Sequence, residues 1–519
     1  MTERYDVIVV GGGHNGLVAA AYAALAGRRV LLLERAAAVG GAAVSERPFA
    51  GVDARLSRYS YLVSLLPDRI VSDLALPIRL ESRPVASYSP YRGPGGADGL
   101  LVEREPSTAT RASFARLTGS DREFDRWQEF SHRLSEVARL LAPTMLEPLR
   151  PADEIRSMIG PSAWDDFVAR PLGEVIEGGF TNDLVRGVVL TDGVIGTFAT
   201  AHDASLAQNR CFLYHVIGNG TGEWRVPVGG MGAVTKALND AAVRAGVTIR
   251  TGAEVRRIWA DGAEAEVAYT ADEHGESLVA GRAVLAGVAP TTLSRLLGEQ
   301  PAMAPEGSQL KLNLLLTRLP RLASGFPAEQ AFAGTFHIRE GYDQLERAAA
   351  EASSGQLPSD APAEVYCHTL TDDSILGPNL SAAGWHTLTL FGLHTPARLF
   401  AGETNAERTR QAVASYLAGL NEVLAEPIED CLATDANGDP CLEAKSPPDI
   451  EAAVGMPGGH IFHGDLSWPW AEDEHQVGDW GVETSIPNVL LCGSGARRAG
   501  GVSGIGGQNA AAALIRLLG

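Results

Sequence analysis

Cysteine is scarce and unpatterned: five in 519 residues, at Cys211, Cys367, Cys431, Cys441 and Cys492, with no C-x-x-C and no Cys/His spacing suited to a metal. This argues against a disulfide scaffold and a zinc framework, and favours a reducing compartment. Positive charge is also short, with 43 Lys and Arg against 63 Asp and Glu and a net charge of −20. That balance argues against a nucleic-acid partner and against electrostatic docking onto anionic lipid. No apolar run approaches a spanning helix, since Leu17 to Ala26 is only an Ala-rich stretch, and no leader-like segment precedes the first strand pattern. The expected location is cytoplasmic. Neither a G-x-S-x-G elbow nor an H-E-x-x-H helix is present, so the common hydrolytic and zinc-peptidase sites are missing.

What is present is concentrated at the two ends. The run Tyr5-Asp6-Val7-Ile8-Val9-Val10 turns through Gly11-Gly12-Gly13-His14-Asn15-Gly16 into an Ala-rich helix, and a second strand, Arg29 to Leu33, ends on Glu34. This is the pattern of a dinucleotide-binding βαβ unit. Gly11 permits the tight turn, Gly13 lets a phosphate approach bare backbone, and Gly16 lets helix and strand pack closely. The helix beginning near His14 and Asn15 turns free N–H groups and its positive dipole end toward a pyrophosphate. Glu34, with Arg35 beside it, stands eighteen residues after Gly16, where a carboxylate can accept both hydroxyls of an adenosine ribose. Gly40 and Gly41 follow.

The far end carries a second Gly-rich strand-to-helix turn. It reads Asn488 to Gly495, including Cys492-Gly493-Ser494-Gly495, then Gly500-Gly501-Val502-Ser503-Gly504-Ile505-Gly506-Gly507. A simple NAD domain has no need of it. A flavoprotein does, because the ribityl chain and isoalloxazine extend beyond the pyrophosphate. The implied cofactor is FAD, bound without a covalent link, and the last helix, about Gly506 to Leu517, would favour the anionic reduced ring.

With the central Trp224-Arg225-Val226-Pro227-Val228-Gly229-Gly230-Met231-Gly232 run, these termini resemble the phytoene-desaturase-like flavoprotein family of carotenoid desaturases and retinol saturases. The match is clear over about residues 1–80, 220–300 and 455–519. It departs at Ala42 and Ala43, where many flavoproteins have Arg after the glycine doublet, and at Ser494, where Asp is common. The resemblance implies an α/β fold: a Rossmann-type FAD-binding domain of the glutathione-reductase-like superfamily, assembled from residues 1–85, 220–300 and 455–519. An inserted α+β substrate domain would take 86–219 and 301–454. It also implies that the strand holding Val255 passes over adenine, and that Gly493, Ser494, Gly501, Val502 and Ser503 approach the cofactor.

The implied activity is hydride transfer between flavin and a carbon–carbon unit of an apolar or partly apolar substrate, held in a largely apolar cavity with few charged groups. A flavin amine oxidase and a non-catalytic lipid- or prenyl-binding protein are the alternatives. The intact glycine loop and Glu34 weigh against the binder. No catalytic residue, metal site, electron acceptor or oligomeric state is specified by a motif. His463 and Asp465 read first as structural, and Gly229-Gly230 equally as a turn or a cofactor contact.

Between the ends, Tyr59 to Leu76 reads as a core helix interrupted by Pro67, with a channel lining or a membrane contact as alternatives. Pro84 to Asp98 reads as loop. Ser120 with Glu123, and Thr404 with Glu407, read as capping boxes opening long helices. Strands are expected at Leu310–Leu316, Glu364–Thr369 and His386–Leu393, and a hairpin turn at Asp261-Gly262.

Overall fold

Strand Val7–Val10 is buried at all four positions, which is why it shows no polar alternation. Val7 and Val9 pack against helices, whereas Ile8 and Val10 face a second sheet. The computed structural model describes residues 3–271, 275–301 and 303–519. Val7–Val10 is the middle strand of a five-stranded parallel sheet, ordered Thr248–Arg250, Val30–Leu33, Val7–Val10, Ala283–Ala286, Val489–Leu491. Helices His14–Leu25, Met231–Arg244 and Ile505–Leu518 share the core on one face. The meander Ala253–Ala260, Ala265–Ala271, Glu276–Gly281 covers the other. Its first turn falls at Asp261-Gly262, where the Asp261 carboxylate accepts the N–H groups of Ala263 and Glu264.

A seven-stranded mixed sheet forms the second layer, ordered Leu442–Lys445, Leu310–Leu316, His386–Gly392, Ala363–Tyr366, Thr335–Ile338, Val85–Gly93, Gly96–Glu103. Period-two alternation divides its faces. Leu310, Leu312, Leu314, Phe336, Val365, Leu388 and Leu390 pack in one core with Tyr416 and Leu420 of helix Asn405–Val423. Lys311, His337, Glu364 and Tyr366 point the other way, into a space closed by helices Arg122–Leu141, Asp183–Val194 and Ala207–Ile217.

Four local expectations are corrected. Pro84–Asp98 is not loop but most of a hairpin of strands Val85–Gly93 and Gly96–Glu103. Pro90 is tolerated there because the neighbouring strand pairs only at Ser87 and Tyr88. Pro67 does not interrupt a helix: residues 59–66 are irregular, and Pro67 is the N-cap of the short helix Asp68–Asp73. Glu123 makes no capping box, because its carboxylate accepts the Thr181 N–H at 3.0 Å and hydroxyl at 2.8 Å, docking a distant loop instead. Thr404 donates to the Ala401 carbonyl rather than capping, and the capping box that does form is Ser446 with Asp449.

Candidate functional site

The first strand delivers the chain into a turn where Gly11 has φ +97°, a conformation L side chains rarely adopt. A Cβ on Gly13 would meet nothing within 4 Å, whereas one on Gly16 would fall on the Gly11 carbonyl oxygen. The first glycine therefore leaves bare backbone facing open space, and the second seals the helix onto the turn. Both oxygens of Glu34 are fixed by backbone, accepting Gly12 N–H at 2.7 Å and Ala36 N–H at 2.8 Å, and the residue borders the cleft described next.

That cleft measures about 660 Å³ and is bordered by Gly11, Gly13, His14, Asn15, Gly16, Glu34, Arg35, Gly41, Val255, Gly493 and Ser494. Eleven of the fifteen sequence-derived positions thus meet around one space. Gly501 and Val502 border an adjoining cavity instead. Gly40 and Ser503 border neither. Gly40 hydrogen-bonds Gly12 through backbone, and Ser503 Oγ accepts the Ile505 N–H at the start of the last helix. Arg35 and Arg295 are the cleft's cationic side chains among the described residues. His14 is a helical residue whose Nε2 lies 3.0 Å from the Gly501 carbonyl, tying the first turn to the last. Burial holds the rings of His14 and His463 neutral, each with its pKa drawn down to about 4. His463 borders the cleft, not the adjoining cavity. Gly229 and Gly230 border neither space; they make the turn into helix Met231–Arg244.

The adjoining cavity, about 360 Å³, meets the cleft at His14, Ala42, Tyr59, Met456 and Ser494. Leu62, Trp127, Phe130, Leu134, Val188 and Val189 make one side apolar. The expectation of few charged groups fails on the other side, where Arg83, Arg104, Lys311, Asp192 and Glu364 enter. Lys311 and Glu364 enter because the polar face of the seven-stranded sheet is turned inward, Arg83 and Arg104 flank its terminal hairpin, and Asp192 comes from helix Asp183–Val194. Tyr61 and Tyr366 stand there with ring centroids 4.6 Å apart. Lys311 Nζ lies 4.8 Å over the Tyr61 ring and donates to the carbonyls of Ser57, at 3.0 Å, and Tyr59. Burial draws its pKa well below the ordinary lysine value. Arg83 lies over Tyr366 and bonds the Trp224 carbonyl, and the Tyr366 hydroxyl donates to Glu364. Burial raises the Glu364 carboxyl. Of these residues Tyr61 lies in the Tyr59–Leu76 stretch, for which a channel lining is the alternative reading; the others are not flagged from sequence, although Lys311 and Asn313 interrupt the Leu310-x-Leu312-x-Leu314 pattern at alternate positions.

A glycine turn open to a helix N-terminus, a wall carboxylate and a cleft continuing into an adjoining cavity define a dinucleotide-binding protein. A family model described as FAD dependent oxidoreductase matches residues 6–88. An uncharacterised protein of Mycobacterium tuberculosis is 51% identical over 530 residues, covering 99% of this chain and 97% of that one. The mouse pyridine nucleotide-disulfide oxidoreductase domain-containing protein 2 is 30% identical over 563 residues, covering 99% and 93%. The chain belongs to the FAD-dependent oxidoreductase family. It is an oxidoreductase with FAD as cofactor, and the open face of Gly13 and the volume of the cleft fit that group. The fold is similar to putrescine oxidase bound to putrescine, with TM-score 0.60 and 18% identity over 99% of this chain and 100% of that one. It is similar also to cyclohexylamine oxidase from Brevibacterium oxydans, with TM-score 0.55 and 16% identity over 99% of each. Among the described residues no helix is long and apolar enough to cross a membrane.

Proposed function

We propose that the protein oxidises a partly apolar small molecule at a carbon next to a polar group, an amine in the first instance. FAD, when bound, accepts a hydride from carbon. In this reading Gly11, Gly13, Asn15 and Gly16 hold the pyrophosphate, Glu34 the adenosine ribose, and Val255 borders adenine. Gly493, Ser494, Gly501 and Val502 back the ring. The carrying observation is the Tyr61–Tyr366 pair, standing with Lys311, Arg83 and Glu364 on one wall of a cavity whose opposite side is apolar. The two rings touch at a tilt of 44° and present a polar-edged aromatic wall to one end of a substrate, and the apolar side takes the body of the molecule. Lys311, its pKa lowered by burial, donates to two carbonyls and stands on the cavity wall as a group able to exchange a proton. The similar folds of putrescine oxidase and cyclohexylamine oxidase support the amine reading.

The second reading, phytoene-dehydrogenase-like oxidation of a carbon–carbon unit, is favoured by the C-terminal motif and the apolar side of the cavity. Anaerobic mixing of the FAD-loaded protein with alkyl- and arylamines on one hand, and isoprenoid chains on the other, separates the two. Bleaching of the oxidised flavin band by amines alone is expected. Bleaching by isoprenoids alone replaces the amine reading with the carbon–carbon one.

A further inference from the structure

Strands Thr335–Ile338 and Ala363–Tyr366 pair with His337 opposite Glu364, and Glu340 follows two residues beyond the first strand. All three side chains are interior, His337 at 4%, Glu340 at 1% and Glu364 at 2% exposure. His337 Nε2 stands 3.8 Å from Glu340 Oε2 and 4.0 Å from Glu364 Oε1. One potential ligand atom from each lies within 4.8 Å of the others. Neither oxygen of Glu340 has a hydrogen-bond partner, although the residue is enclosed and its carboxylate faces the imidazole. Among the described residues the ion-pair contacts of Glu340 and Glu364 are with His337, and Arg83 acts on Glu364 only from beyond that distance. Two buried carboxylates and an imidazole converging without a cation make an arrangement a dication would complete.

The surroundings hold the donors in place. Ser89 Oγ is 2.8 Å from His337 Nδ1, which turns Nε2 toward the carboxylates. Thr191 donates to Glu364 Oε1 at 3.2 Å and Tyr366 to its Oε2. Such contacts fix ligand orientation in metal sites. An approach exists as well. A surface pocket of about 460 Å³ has His337 and Glu340 in its wall with Asp183, Asp360 and Glu422 around them, while its Arg339 is engaged by Glu422 and Asp360.

We infer that His337 Nε2, a carboxylate oxygen of Glu340 and Oε1 of Glu364 form a binding site for a divalent first-row ion, manganese or zinc, in the wall of the substrate cavity. Calcium is disfavoured, because it takes six to eight oxygens. One nitrogen with two carboxylate oxygens suits the transition ions, with water or Thr191 completing the shell. Bonds of about 2.1 Å at tetrahedral angles separate ligands by about 3.4 Å, so the two carboxylates must each close on the imidazole by about half an ångström and on each other by up to about 1.4 Å. The ion would balance the two acids and, through Glu364, set the position of the Tyr366 hydroxyl. This inference is independent of whether the substrate is an amine.

The test uses full-length, FAD-loaded protein, stripped with a chelator and dialysed against Mn²⁺ or Zn²⁺. Metal is counted by mass spectrometry, and free Mn²⁺ is followed by its paramagnetic resonance signal. The expected result is a single Mn²⁺ per chain, displaced by Zn²⁺, with a melting temperature that rises on loading. Glu340→Gln keeps shape and removes a buried charge, so it should retain flavin while affinity falls by at least about 100-fold. Glu364→Gln supplies a second variant, and the parent titration needs none. A parent that takes up no stoichiometric metal at millimolar concentration overturns the inference. So does a flavin-replete Glu340→Gln that binds as tightly as the parent.

Discussion

Glu34 does two jobs with one carboxylate, and its replacement separates them. Its oxygens hold the Gly12 and Ala36 amides, shaping the turn, and in the proposed complex they also accept the adenosine ribose. Charge-assisted bonds of this kind contribute about 1.5–3 kcal/mol each, and about 1.4 kcal/mol is a factor of ten in affinity. Glu34→Ala should therefore weaken FAD binding by one to several orders of magnitude, and Glu34→Asp by less. Titration of the apoproteins with FAD reads this directly, and equal affinity in the Ala variant would remove Glu34 from the cofactor site. At this scale the sequence was legible wherever a residue type has one main reason to be there, as with Gly11 and Glu34. It was silent on Arg83, Glu364 and Tyr366, whose meaning comes from strands distant in the chain that bring them face to face.

At the scale of an element, the glycine turn and its helix allow a sharper separation of folding from binding. Gly13 has ordinary extended backbone and free space where a Cβ would stand, so Gly13→Ala should fold with nearly the parent's stability and lose flavin. Gly16→Ala instead drives a methyl into the Gly11 carbonyl, and overpacking of this type costs about 1–3 kcal/mol in the fold itself. Denaturation of the two apoproteins, paired with FAD titration, checks the contrast. If Gly13→Ala binds normally, the open backbone is not the phosphate contact. The same scale shows where pattern reading failed. The S/T-x-x-E signature at Ser120 and Thr404 does not say whether the glutamate turns back to the helix, and at Glu123 the unpaired amide and hydroxyl of Thr181 attract it instead. The composition of Pro84–Asp98 signalled a loop because turn residues dominate it, whereas the antiparallel pairing of Val85–Gly93 with Gly96–Glu103, joined at Ser87 and Tyr88 by a strand from residues 335–338, decides its structure.

Across the whole molecule, the two sheets confine several imidazoles in surroundings that keep them uncharged, and this gives the fold a dependence on acid. His14 and His463 lie near each other beside the cleft and His394 lies apart from them, and desolvation draws each from 6.5 to about 4. In the unfolded chain they bind protons first. Their contribution is therefore complete above about pH 6.5 and is lost as pH falls toward 4, with stability rising with pH across that interval. A shift of this size corresponds to about 3 kcal/mol for each group, against total stabilities of about 5–15 kcal/mol. Denaturant unfolding of the apoprotein between pH 4.5 and 7 should show the loss. His394 isolates one proton, since neither ring nitrogen has a partner and it lies away from both the cleft and the cavity. Its φ of +53° is one that Asn tolerates best among non-glycine residues, so His394→Asn removes the titrating group with little backbone cost. The variant's stability should change less steeply with pH, by up to about 1.4 kcal/mol per pH unit for the missing proton. An unchanged slope would mean that His394 keeps the same proton count folded and unfolded, and that the acid sensitivity arises elsewhere.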